Sequence, residues 1–208
     1  VRRELVRYGR LLYERRLLSG VGGNLSARVD EDTILITPSG FSKGMLVDGD
    51  MIRMDIEKGE VVSGGKPSME TPFHLTFYRH RPDAGAVIHA HPLYCTILAV
   101  AGETVRTDLT PEGLMVLGDV PLVPYETPGS ERLASRLAEA MAGGGFAFLL
   151  ERHGAITIGR DLAEAFHRME TLEFLAELQV RAEQAGKARP LPQDEAERVR
   201  AMGRGKRN

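Results

Sequence analysis

The chain has 208 residues, 42% apolar and 27% charged, enough for one globular domain with a real core. Its 27 basic and 29 acidic residues leave a formal charge of -2, which favours neither a nucleic-acid backbone nor an anionic membrane as partner. The single cysteine, Cys95, excludes an internal disulfide framework, and no apolar run approaches the ~18 residues of a membrane span. Val1-Arg2-Arg3-Glu4 leads into an amphipathic segment rather than a signal-peptide core, so the expectation is a cytoplasmic protein.

Leu5, Tyr8, Leu12 and Tyr13 share a helical spacing that predicts an opening helix closed at Ser19-Gly20. Short strands are predicted over 25–29 and 33–37 around the turn Asp30-Glu31-Asp32, and a hairpin over 51–63 around Glu57-Lys58-Gly59. A helix follows from about Glu70 to His80, then a strand over 86–91, closed by Pro92, and a short helix over 93–101. Residues 109–118 are ambiguous and 120–124 are a strand candidate. Ser130 caps a helix carrying Leu133, Leu137 and Met141, and two apolar strands flank Arg152-His153-Gly154. The longest helix spans about 161–185, with Phe166, Met169, Leu172, Phe174 and Leu175 as its core face. The pattern predicts an α/β domain over residues 1–185 and a charged tail with a short helix over 186–208.

Six histidines are present, and the pair His89 and His91 is the informative one. Residues two apart on a strand share a face, so both imidazoles can reach one metal ion. His153, before a glycine, can supply a third nitrogen, and three nitrogens with an open position suit a catalytic zinc. His-x-His spacing alone also fits hydrogen-bonded or surface histidines. Glu70 is the nearest acidic candidate for proton transfer, although a first-turn glutamate can equally complement a helix dipole. His74 reads as a satisfied structural histidine or a partner behind the site, His167 as surface and Cys95 as a buried thiol. Gly22-Gly23-Asn24, Thr37-Pro38-Ser39-Gly40 and Pro67-Ser68 offer backbone N–H groups and short side-chain donors suited to a phosphate or carboxylate.

In order along the chain, Gly23-Asn24-Leu25-Ser26, Thr37-Pro38-Ser39-Gly40, Lys66-Pro67-Ser68-Met69-Glu70, Ala86-Val87-Ile88-His89-Ala90-His91 and Arg152-His153-Gly154 resemble the signatures of the class II aldolase/adducin family. The resemblance covers roughly residues 5 to 180. It implies a three-layer α/β/α domain around a mixed, largely antiparallel sheet, and a homotetramer with sites near subunit interfaces. It implies that His89, His91 and His153 bind one Zn2+ per subunit. Glu70 would serve as the acid/base and as a fourth ligand when substrate is absent. Gly23, Asn24, Ser39, Gly40, Ser68 and Met69 would form the substrate phosphate pocket.

The implied reaction is reversible retro-aldol cleavage of a ketose 1-phosphate, such as L-fuculose 1-phosphate, to dihydroxyacetone phosphate and an aldehyde. The small phosphorylated sugar is then the partner, with neither nucleic acid nor membrane. The chain departs from the family's aldolases at Met69, where they carry a serine, and at Thr110 and Pro128, where they carry aromatic residues. The end from Gly203 to Asn208 also contains no tyrosine. Tyr125 and Glu112 are the candidates for the base on the aldehyde side. A sugar-phosphate 4-epimerase or methylthioribulose-1-phosphate dehydratase is an alternative, the latter using Glu112. A non-catalytic adducin-like interaction domain is another, against which the joint presence of His89, His91, His153 and Glu70 argues.

Overall fold

Eight strands build one sheet: β1 (Asn24–Arg28), β2 (Thr33–Ile36), β3 (Ile52–Asp55), β4 (Val61–Ser63), β5 (Ala86–Ala90), β6 (Leu122–Val123), β7 (Ala147–Leu150) and β8 (Gly154–Gly159). The structure is a computed structural model that describes residues 1–205. The strand order is β4-β3-β2-β1-β5-β8-β7-β6, and every pairing is antiparallel except that of β6 with β7. The helices are α1 (Arg2–Glu14), α2 (Thr71–His80), α3 (Leu93–Ala101), α4 (Pro111–Val116), α5 (Glu131–Met141), α6 (Leu162–Gln184) and α7 (Gln193–Gly205). None of the described helices is long and apolar enough to cross a membrane.

Alternation along each strand sends neighbouring side chains to opposite faces, and both faces are covered. Ile88, Leu25, Leu149 and Ala155 pack under α1, α3 and α6 with Leu5, Leu12, Leu98 and Leu172. Val87, Ile34, Phe148 and Ile156 pack on the other side with Phe73 and Phe77 of α2 and Leu137 of α5. Each fully buried side chain of this kind contributes about 1.5–3 kcal/mol of transfer free energy. The result is the three-layer α/β/α fold with a mixed, largely antiparallel sheet.

Several local expectations change. α1 ends at Glu14 rather than near Gly20 because Arg16 adopts a left-handed conformation, φ 59°. The Leu17 N–H then bonds to Leu12 O and the Arg16 N–H to Tyr13 O, a helix-ending pair that turns Leu17 and Leu18 into the core. The ambiguous 109–118 segment contains α4, started by Pro111 and capped by Thr110, whose hydroxyl accepts from the Gly113 N–H. The 120–124 strand shrinks to the two residues of β6. Phe174 leaves the predicted core stripe and is exposed, whereas Phe166, Met169, Leu172 and Leu175 point inward. His167 is exposed and Cys95 buried, as expected. α7 packs on α4, and the Leu191 N–H reaches Asp108 O at 2.8 Å. Residues 206–208 of the tyrosine-free end lie outside the described residues.

Candidate active site

The three central strands β1, β5 and β8 are held in a register that pairs Asn24 with His89 and His89 with Ile156. That register gathers the start of β1, the end of β5 and the turn before β8 at one end of these strands. His89 lies within β5, His91 one residue beyond it, and His153 one residue before β8. Arg152 adopts φ 57° in the turn, its N–H bonding to Ala99 O at 3.1 Å, which sets the direction of His153.

The imidazoles converge. His89 Nδ1 lies 3.0 Å from Ala155 O, and since a carbonyl only accepts, Nδ1 carries the hydrogen and Nε2 is left bare. His89 Nε2 is 2.9 Å from His91 Nε2, and ligand nitrogens of His89, His91 and His153 all lie within 4.8 Å of one another. Burial pushes all three imidazoles below their ordinary pKa, His89 well below it and His153 to about 4, with the neighbouring imidazoles adding to the effect on these two. They are therefore neutral near pH 7, the state in which imidazole binds metal.

Glu70 sits where the 66–70 loop enters α2, but its carboxylate caps no N–H of that helix. It turns instead to the histidines, with Oε2 at 3.3 Å from His89 Nε2 and Oε1 at 3.4 Å from His153 Nε2. Oε2 accepts from Asn24 Nδ2 at 2.7 Å, whereas Oε1 is buried with no hydrogen-bond partner. A buried carboxylate oxygen left without a donor is costly, and a cation among the imidazoles removes that cost. Three neutral imidazoles and one carboxylate are a donor set that fits a divalent transition-metal ion, so the residues present fit a metal. Burial raises the pKa of Glu70, with the Asn24 hydrogen bond and the Lys43 charge opposing.

The residues expected to hold the phosphate come from loops around this end of the strands. Loops 37–40 and 66–69 are tied by an antiparallel bridge between Pro38 and Pro67, and the Ser39 N–H donates to Lys66 O at 3.2 Å. Ser68 Oγ accepts from the Glu70 N–H at 3.2 Å. Gly40 has φ 78° with open space beside it, and Met69 is exposed with its carbonyl against Gly129. Asn24 is buried and bonded at both ends of its amide, to Glu70 and to His74. Gly23 has φ 69°, and a Cβ there would stand 2.3 Å from Leu18 Cδ2 and 2.7 Å from His89 O. Gly23→Ala is expected to cost ~1–3 kcal/mol by overpacking, lowering the melting temperature by about 2–4 °C per kcal/mol, and calorimetry checks this.

Lys43 is the residue that sequence reasoning missed. Its ammonium is buried and donates to Val21 O at 2.7 Å and Phe41 O at 2.8 Å, with no carboxylate in an ion pair among the described residues. Desolvation pulls its pKa down to about 8, and Glu70 is the charge acting against that. The one sequence signal was that a lysine stands in a glycine-rich loop of a chain whose cations are mostly arginine. On the other side, Thr110 spends its hydroxyl on α4, Glu112 is exposed on α4, and Tyr125 is exposed with its N–H on the Glu151 carboxylate.

The family model for the Class II Aldolase and Adducin N-terminal domain matches residues 3–180. The chain belongs to the class II aldolase/adducin family. It is 39% identical to the 3-oxo-tetronate 4-phosphate decarboxylase of Pectobacterium atrosepticum, over 85% of this chain and 82% of that protein. It is 36% identical to the L-fuculose phosphate aldolase of Methanococcus maripaludis, over 84% of this chain and 93% of that one. Among solved structures, an L-fuculose 1-phosphate aldolase superposes with a TM-score of 0.90 at 36% identity, covering 97% of this chain and 95% of the other.

Proposed function

We propose that the chain is a metal-dependent lyase that breaks the carbon–carbon bond next to a carbonyl of a phosphorylated sugar or sugar acid, and that its leaving group is carbon dioxide. The observation that carries the reading is the orphaned Oε1 of Glu70 facing three neutral imidazoles. His89, His91 and His153 would hold a zinc ion, which would supply Lewis-acid polarisation of the substrate carbonyl. Glu70, facing the same space as the imidazoles, is the acid/base that passes a proton to the carbon from which the leaving group departs.

Decarboxylation and aldol cleavage share this half of the site. A 3-oxo-tetronate 4-phosphate losing its C1 carboxyl sends the C1–C2 electron pair toward the C3 carbonyl, leaving the enediolate of dihydroxyacetone phosphate. Protonation at C2 completes the product. A ketose 1-phosphate cleaved between C3 and C4 leaves the same enediolate. The two differ at the leaving group, because an aldehyde requires a base for its hydroxyl and carbon dioxide requires none. Here the positions at which the family's aldolases carry aromatic residues are Thr110 and Pro128, and the Thr110 hydroxyl is occupied by α4. Buried Lys43, lacking a carboxylate partner, further favours a substrate with an additional negative charge. The relatives at 39% identity bear the decarboxylase name.

Cleavage of a ketose 1-phosphate is the second reading, supported by the aldolase relatives. Glu112, which a dehydratase would use, is exposed on α4. The proposal includes one zinc per chain and a homotetramer, in keeping with the exposed apolar stripe Leu93, Ile97 and Val100 on α3 beside the site. Incubating the zinc-loaded protein with 3-oxo-tetronate 4-phosphate and with L-fuculose 1-phosphate separates the readings. Carbon dioxide release with dihydroxyacetone phosphate is expected from the first. Faster production of an aldehyde from the second substrate would replace decarboxylation by aldol cleavage.

A further inference from the structure

Behind Glu70 a line of buried polar side chains crosses the layer between β1 and α2. Tyr78 Oη lies 2.8 Å from Ser26 Oγ, and Ser26 Oγ lies 2.7 Å from His74 Nδ1. His74 Nε2 lies 2.5 Å from Asn24 Oδ1, and Asn24 Nδ2 lies 2.7 Å from Glu70 Oε2. All five side chains are buried, and Phe73 stacks on the His74 ring at 4.8 Å between centroids.

Donor and acceptor chemistry gives this line one direction. An amide nitrogen only donates and its oxygen only accepts, so Asn24 donates to Glu70 and must receive from His74. His74 Nε2 therefore carries the hydrogen. Burial holds the ring neutral, its pKa pushed down to about 3, so Nδ1 is bare and accepts from the Ser26 hydroxyl. The Ser26 oxygen in turn accepts from the Tyr78 hydroxyl. Each group is satisfied, and the chain ends on one oxygen of Glu70 alone.

We propose that Asn24 and His74 are positioning residues of the lyase: their one-way hydrogen-bond chain holds Glu70 Oε2 as an acceptor and thereby aims Oε1 at the imidazoles. Oε2 is fixed by the Asn24 N–H, whereas Oε1 makes no hydrogen bond and faces His153 Nε2 at 3.4 Å. Asn24 then acts through Glu70 by way of its side-chain amide. The inference rests on proton transfer by Glu70, and its first test does not require turnover.

Nitrogen NMR of the zinc-loaded protein reads the His74 tautomer directly. The expected result is a neutral ring protonated at Nε2; a ring protonated at Nδ1 reverses the chain and overturns the proposal. The second test is kinetic, with the substrate that the wild-type protein turns over. Asn24→Ala is expected to lower kcat by up to ~100-fold through a displaced carboxylate while KM stays within a few-fold. His74→Gln, which retains an N–H near the Nε2 position, is expected to recover much of the activity that His74→Ala loses. A raised KM with unchanged kcat in Asn24→Ala would make it a substrate-binding residue and sink the proposal. Failure of the wild-type protein on every sugar phosphate would overturn the lyase reading, while the tautomer would still decide the chain.

Discussion

His89→Ala is expected to lose bound metal and catalytic activity together while keeping the fold. His89 is the most buried of the three imidazoles, and its Nδ1 bond to Ala155 O leaves Nε2 no role but to face the other ligands. Disturbing a group that merely orients a ligand typically lowers metal affinity ~10–100-fold, so removing the ligand itself should cost more than that. Metal analysis after desalting, with circular dichroism as the check on folding, measures it, and full occupancy in the variant would take His89 out of the site. Acid should act on the same equilibrium. A metal-binding imidazole must be neutral, and these are held below their ordinary pKa, so metal is expected to stay bound through mildly acidic pH. It should be released as the pH falls towards about 4, where His153 takes up a proton.

Glu70→Gln should lower kcat by ~100- to 10,000-fold, the usual contribution of a positioned acid or base. The amide keeps the shape of the side chain, and its oxygen can still accept from Asn24, but it cannot exchange a proton with carbon. Stability should move the other way in the metal-free protein. Burial raises the pKa of Glu70, so the native state binds this proton more tightly than the unfolded chain does. A raised carboxyl pKa means that stability is lost as pH rises from the unfolded pKa through the folded one, and at neutral pH the buried carboxylate is a burden. A neutral glutamine removes it, so the metal-free variant is expected to melt no lower than wild type at pH 7. Near-wild-type turnover by Glu70→Gln would remove Glu70 from the proton-transfer step.

The ordered motifs were legible because each depends on local geometry. His89 and His91 share a parity that any strand turns into a shared face, whereas Gly154, the glycine after His153, opens β8 and leaves room for the Ala90 carbonyl and the His91 ring, the turn itself falling at Arg152. Asp161 and Ser130 announce their helices through side-chain bonds to Glu164 N–H and Leu133 N–H that span three residues. The three-layer fold followed from the family resemblance, and the continuous buried runs of β2, β5, β7 and β8 agree with a sheet covered on both faces.

What the tertiary structure alone decided depends on contacts between residues far apart in the chain. Strand order joins β1 to β5 and β5 to β8, pairings that no local pattern encodes, and these set Asn24, His89 and His153 at one end of the central strands. Glu70 could have complemented a helix dipole; the Asn24 amide, arriving from 46 residues away, turns its carboxylate to the imidazoles instead. Lys43 lies in a loop without periodicity, and only the carbonyls of Val21 and Phe41 closing over its ammonium make it a buried charge. His74 carried two readings, and the structure joins them: the ring is fully satisfied, and the bond that satisfies its Nε2 is the one that holds Asn24 against Glu70. Sequence specifies which groups are available and on which face of an element they stand. Burial and long-range pairing decide which of them meet, because only they fix which polar atoms lose water and must find one another.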